Sequence, residues 1–163
     1  MEIEGIKAAI GIKYIKELLE KKNRHYSDVI AQKILFFAHM YCLVKFNQQL
    51  VKGDYKTHKE GVFEAWRKGP VAIIPEDVQI DDLDMPPDFQ SSLEANIIQT
   101  TFEALWNINE WGLVEMTHSL DCWINHAQKM ISGEEIRTRE IIPDSEIIDD
   151  ARNLKILELL KLE

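Results

Sequence analysis

Residues 27–45 read SDVIAQKILFFAHMYCLVK, and this stretch decides the fold. Ser27 is a good N-cap, Asp28 complements the helix dipole behind it, and Ile30, Ile34, Phe37, Ala38, Tyr41 and Lys45 recur at helical spacing. The other faces of the same helix are apolar too, which predicts a helix surrounded by the rest of the chain rather than lying on its surface. Its longest apolar run, Ile34 to Val44, is interrupted by His39 and flanked by Lys33 and Lys45. That is short of the roughly 20 apolar residues that cross a bilayer, so a central core helix is expected.

Around it, Ile3, Ile6, Ile10, Tyr14 and Leu18 mark one stripe of a first helix over residues 3–21, closed by the charged stretch from Glu20 to Arg24. From Gln48 to Ile74 the helical period disappears and Gly53, Gly61, Gly69 and Pro70 punctuate the chain. A small β-hairpin or irregular element is predicted around residues 50–74. Residues 75–90 carry Glu76, Asp77, Asp81, Asp82, Asp84 and Asp88 with Pro86 and Pro87, and read as an exposed acidic loop. Ser91 and Glu94 have capping-box spacing for a helix through Ile97, Ile98, Thr101, Leu105 and Ile108 that Gly112 terminates. Thr117 or Ser119 then caps a helix carrying Trp123, Ile124 and Ala127, stopped at Gly133, and Pro143, Asp144 and Ser145 open the last one through Ile147, Ile148, Ala151 and Leu154. The predicted fold is mostly α: one compact domain over residues 1–163, a bundle of five to six helices with the small β element in the middle.

The 163 residues are 45% apolar and 29% charged, enough for one core without disulfides. Cys42 and Cys122 are the only cysteines, and the first twenty residues lack a compact apolar segment, so reduced thiols and a cytoplasmic location are expected. The net charge of −9 is unevenly spread: residues 1–75 hold 13 Lys and Arg against 8 Asp and Glu, a balance of +5, whereas residues 76–163 hold 6 against 20, a balance of −14. An acidic half suits a basic protein partner better than nucleic acid, with Glu76 to Asp88 steering the encounter. The alternative, a DNA-binding regulator using Lys13, Lys16, Lys21, Lys22 and Arg24, would need an apolar second helix to lie in a groove.

The sequence contains no phosphate-cradling glycine loop, nucleophile elbow or H-E-x-x-H metal motif. His118, Cys122 and His126 fall four residues apart, which on one helix would share a face and could serve a metal- or thiol-dependent enzyme. The competing reading is a helix-start histidine, a small buried cysteine and a surface histidine. His39 and Cys42 invite the same two readings, the second being a neutral core imidazole bonded to a carbonyl. The acid pairs Asp81–Asp82 and Asp149–Asp150 read as solvated. No enzyme activity, cofactor or metal is therefore expected.

Three blocks resemble a known family. Ala31 to Ala38 (AQKILFFA) is similar to a Leu-Gln-Lys-Leu-Leu-Tyr-Tyr-Ala block, Glu64 to Val71 (EAWRKGPV) to a Glu-Ala-Trp-x-x-Gly-Pro-Val block, and Thr117-His118-Ser119 with Trp123 to a Thr-His-Ser-x-x-x-Trp block. In this order and spacing they resemble the Panacea antitoxin domain, the SocA-like or GepA-type phage-associated proteins, over about Ile30 to Ile148. Phe36 and Phe37 replace the paired tyrosines, Leu120 an expected acid and Cys122 an expected proline. The resemblance implies a helical, non-enzymatic module of bacterial and prophage toxin–antitoxin pairs. Such a module neutralises an adjacently encoded toxin by direct binding, in one branch as an adaptor to an ATP-dependent protease. It singles out Gln32, Lys33, Glu64, Trp66, Gly69, Pro70, Thr117, His118 and Trp123. Two readings of Trp66 stay open: an exposed partner anchor, or a core residue with Gly69 and Pro70 ending a strand.

Overall fold

A computed structural model describes residues 2–53, 61–131, 140–153, 156–159 and 161. In chain order the elements are β1 (Ile6–Lys7), α1 (Ala8–Lys21), α2 (Asp28–Phe46), β2 (Val51–Lys52), β3 (Phe63–Trp66), β4 (Gly69–Ala72), α3 (Leu93–Leu105), α4 (Glu110–His118), α5 (Asp121–Ile131), β5 (Ile141–Ile142), α6 (Asp144–Asn153) and α7 (Ile156–Leu159). Single 3-10 turns at Ile80–Asp82 and Phe89–Ser91 punctuate the acidic segment. The fold is mostly helical with a small hairpin, as the sequence predicts.

Helix α2 is the axis. Ser27 Oγ accepts the Ile30 N–H at its start, and every residue from Ile30 to Leu43 is buried. Helices α1, α3, α4 and α6 and strand β4 pack around it. It is the one described helix long and apolar enough to cross a bilayer, and here its apolar faces are covered by the chain's own elements. Phe36 and Phe37 are both 0% exposed, and Phe36 meets Phe63 of β3 edge to face at 5.2 Å. A tyrosine hydroxyl at either position would need a buried partner.

His39, also fully buried, is bonded to a main-chain N–H and a carboxylate rather than to the expected carbonyl. Val51 N–H donates to its Nδ1 at 3.1 Å, which leaves Nε2 to donate to Asp144 Oδ1 at 2.9 Å. One side chain thereby ties α2, β2 and α6 together.

Several boundaries differ from the sequence reading. The first helix begins at Ala8; Ile3 and Ile6 are buried ahead of it, Ile6 in β1, which pairs in parallel with β2 (Ile6 opposite Val51). The N-cap of α3 is Ser92 rather than Ser91, its Oγ accepting from Ala95 N–H at 3.1 Å. Gly112 lies inside α4, donating its N–H to the N-cap Asn109 Oδ1 at 2.7 Å, so this glycine opens a helix instead of ending one. Thr117 and Ser119 close α4, since their hydroxyls donate back to the carbonyls of Val114 and Met116. The expected stop at Gly133 and the core position Leu154 lie outside the described residues.

The acidic segment is partly anchored. Asp81 accepts from Lys16 Nζ at 2.7 Å, and the Lys13 ammonium donates to the Leu83 carbonyl, so this loop lies on the basic face of α1. Lys22 meets Glu103 at 3.6 Å and Arg24 donates to the Ile108 carbonyl at 2.8 Å. Four of the five cations that suggested DNA binding are therefore engaged within the molecule. Part of the charge polarity along the sequence cancels on folding.

Candidate functional site

Strand β3 pairs with β4 on one side and β5 on the other, Trp66 standing opposite Gly69 and Glu64 opposite both Val71 and Ile141. Strand alternation sends Phe63 and Ala65 into the core and turns Glu64 and Trp66 outward. Trp66 is 38% exposed, which decides for the surface reading, and Gly69 and Pro70 begin a strand rather than end one.

The outer edge of β4 would leave main-chain groups unpaired, and α2 supplies their partners. Gln32 Oε1 accepts the Ala72 N–H at 2.8 Å and Lys33 Nζ donates to the Pro70 carbonyl at 3.5 Å, while Pro70 itself has no N–H to satisfy. Gly69 has φ +114°, and a Cβ there would collide with Thr117 Oγ1 and lie 2.7 Å from Lys33 Nζ. The turn carbonyls are held from below: Trp123 Nε1 donates to Trp66 O at 2.7 Å and His118 Nε2 to Arg67 O at 2.8 Å. The two rings stack at 4.0 Å with 11° between their planes, which fixes both donors.

All nine residues that the resemblance singles out thus meet at one hairpin. Gln32, Lys33, His118 and Trp123 bond to it, Thr117 lies against Gly69, Gly69 and Pro70 shape it, and Glu64 and Trp66 face out. Between the hairpin and the first turns of α2 lies a cleft of about 330 Å³ lined by Asp28, Val29, Gln32, Lys33, Glu64, Trp66 and Lys68 among others. Lys33 is 0% exposed, and burial pushes its ammonium down to about 8, against the opposing pull of Asp28 and Glu110.

The constellation of His118, Cys122 and His126 comes apart. His118 ends α4 while Cys122 and His126 ride on α5, because the chain turns at Ser119 and Leu120. Burial pushes the Cys122 thiol up, with Asp150 adding to the shift, so it is a poor nucleophile. Asp150 is not solvated as the sequence suggested; it is 4% exposed and accepts the Cys122 N–H at 2.7 Å, pinning the start of α5 to α6. Among the described residues no three His, Cys, Asp or Glu side chains converge on a possible metal position.

His126 has a different use. Its Nδ1 meets Glu140 Oε2 and its Nε2 meets Glu146 Oε2, each at 2.9 Å, so the ring bonds both carboxylates only when doubly protonated. Burial pulls its pKa down, but the hydrogen bonds it donates to Glu146 and Glu140 and their charges outweigh this and hold it above the ordinary value. A base whose folded pKa is raised stabilises the fold fully below its unfolded value near 6.5, and loses that contribution as pH rises through the folded value. Thermal unfolding from pH 5.5 to 8.5 is expected to show wild type losing stability relative to His126→Gln; parallel curves would refute the clamp.

Sequence reasoning missed Trp111, 71% exposed in the first turn of α4, and Glu110 beside it, whose Oε1 accepts from Ser27 Oγ at 2.5 Å. Helix spacing of Trp111 to Glu115 is the signal that could have found the former. No family model, no curated protein and no solved structure matches this chain.

Proposed function

We propose that this chain is a cytoplasmic, non-enzymatic antitoxin of the Panacea type, which neutralises an adjacently encoded toxin by binding it through the hairpin face that presents Trp66 and Glu64. The observation that supports the reading is the convergence just described: residues spread from Gln32 to Trp123 are organised around one small hairpin whose outward side chain is a large, half-exposed indole. Hydrogen-bonding side chains of α2, α4 and α5 fix this hairpin's geometry, and tryptophan is enriched among residues that dominate interfaces. Five exposed acids in residues 76–90, Glu76, Asp77, Asp82, Asp84 and Asp88, remain available to attract a basic partner.

The test is co-expression with the protein encoded next to it, scoring growth and co-purification. The neighbour alone is expected to be toxic, and the pair to grow and co-purify. Trp66→Ala is expected to weaken the complex by roughly 30-fold, a hot-spot loss of about 2 kcal/mol, with the unfolding midpoint little changed. A harmless, unbound neighbour would overturn the proposal. Toxin abundance with and without the host's ATP-dependent proteases separates occlusion from delivery for degradation.

A further inference from the structure

Twice in this molecule a lysine is held by an aromatic ring together with a carboxylate. Lys22 Nζ lies 4.9 Å from the Trp106 ring centroid and 3.6 Å from Glu103 Oε2. Lys16 Nζ lies 5.1 Å from the Tyr26 centroid and 2.7 Å from Asp81 Oδ1. A third such pair stands on α4. Trp111 and Glu115 are four residues apart and so share a helix face, both are exposed, and neither side chain has a hydrogen-bond, ion-pair or ring partner among the described residues. Here the ring and the acid both face solvent.

We propose that Trp111 and Glu115 receive a lysine or arginine side chain of the protein partner, the guanidinium or ammonium lying over the indole with the Glu115 carboxylate as its counter-ion. This rests on the protein-binding reading above and adds the chemistry of the partner: a segment carrying a basic side chain at its contact with α4. The charge is complementary, since the chain carries −9 and Glu110 adds a further carboxylate beside Trp111. Exposed indoles gain from cations because the ring face is electronegative, and arginine adds planar stacking.

The first test needs no toxin. The indole N–H resonance of Trp111 in the ¹⁵N-labelled full chain, assigned by its loss in Trp111→Phe, is followed during titration with a short arginine-bearing peptide and its citrulline twin. The arginine peptide is expected to shift this resonance while the citrulline twin leaves it in place. Glu115→Gln is expected to weaken the response about two- to fivefold, and Glu115→Lys to abolish it. Unchanged resonances of Trp66, Trp106 and Trp123 show that the variants are folded. Equal shifts by both peptides, or indifference to Glu115→Gln, would overturn the proposal. In the co-expressed pair, Trp111→Ala should weaken the complex about fivefold, and an unchanged affinity would overturn the partner assignment. A neighbour that does not bind even the wild type defeats the antitoxin reading, and the peptide titration still decides this one.

Discussion

Gly69→Ala is expected to lower stability by about 3 kcal/mol. Two effects combine. The residue sits at φ +114°, a conformation that an L side chain adopts only with strain of about 1–2 kcal/mol. The new Cβ also collides with Thr117 Oγ1, on a short, buried side chain that cannot swing away because its hydroxyl already donates to the Val114 carbonyl. Relief would require β4 to lift from α2, and that would break the bonds from Gln32 and Lys33. Urea unfolding gives the loss in stability, and amide exchange at Ala72, whose N–H is bonded to Gln32, reports whether the hairpin has lifted. A variant within about 0.5 kcal/mol of wild type would show that the turn is not built on this glycine.

Lys33→Met is expected to move stability the other way. The ammonium is completely buried, has one long bond to a carbonyl, and has no carboxylate within ion-pair distance among the described residues. Its pKa falls from 10.5 to about 8, chiefly through desolvation. Between those two values the unfolded chain binds the proton more readily, so the folded state gains as pH rises from about 8 towards 10.5 and carries the full penalty below about 8. At pH 7 the penalty is about 3–4 kcal/mol, at roughly 1.4 kcal/mol for each unit. Methionine keeps the stem's volume, removes the charge and forfeits a hydrogen bond worth about 1 kcal/mol, so a net gain of about 2–3 kcal/mol is expected at pH 7. The advantage should vanish near pH 10.5. Denaturant unfolding of both proteins at pH 7 and pH 10 measures the difference, and a methionine variant less stable than wild type at pH 7 would refute the account.

A burial that opposes stability is retained more readily where it positions something. Lys33 and Gln32 complete the edge of β4, and that edge sets the plane in which Trp66 and Glu64 face outward. The stability gain in Lys33→Met therefore comes at the place where the hairpin is held. The same logic covers His118 and Trp123, whose donors satisfy two turn carbonyls that water would otherwise reach.

The central helix was legible because its evidence is local: an N-cap serine, an acid in the first turn and apolar residues on every face can only describe a buried helix. The hairpin was legible for a similar reason, since glycines and a proline punctuate it and β-forming residues lie between them. Helix ends in the second half were less so. Ser91 against Ser92, and Gly112 as a stop or a start, are choices between neighbouring caps that local spacing leaves nearly degenerate, and packing against α2 selects among them.

By itself, then, the sequence determined a mostly helical chain around a buried helix, an overall acidic charge, and where along it the ring-, acid- and base-bearing residues fall. Only the tertiary structure decided what those residues do. Whether an indole is core or surface depends on which strand face it occupies, and Trp66 is outward because β3 pairs in the register that buries Phe63 and Ala65. Whether acids and bases remain available depends on which of them meet, and Lys16 is engaged because Asp81, far away in the chain, folds back onto α1. Periodicity along a chain records which residues seek burial; pairing across it, set by non-local contacts, fixes which polar groups are left facing solvent.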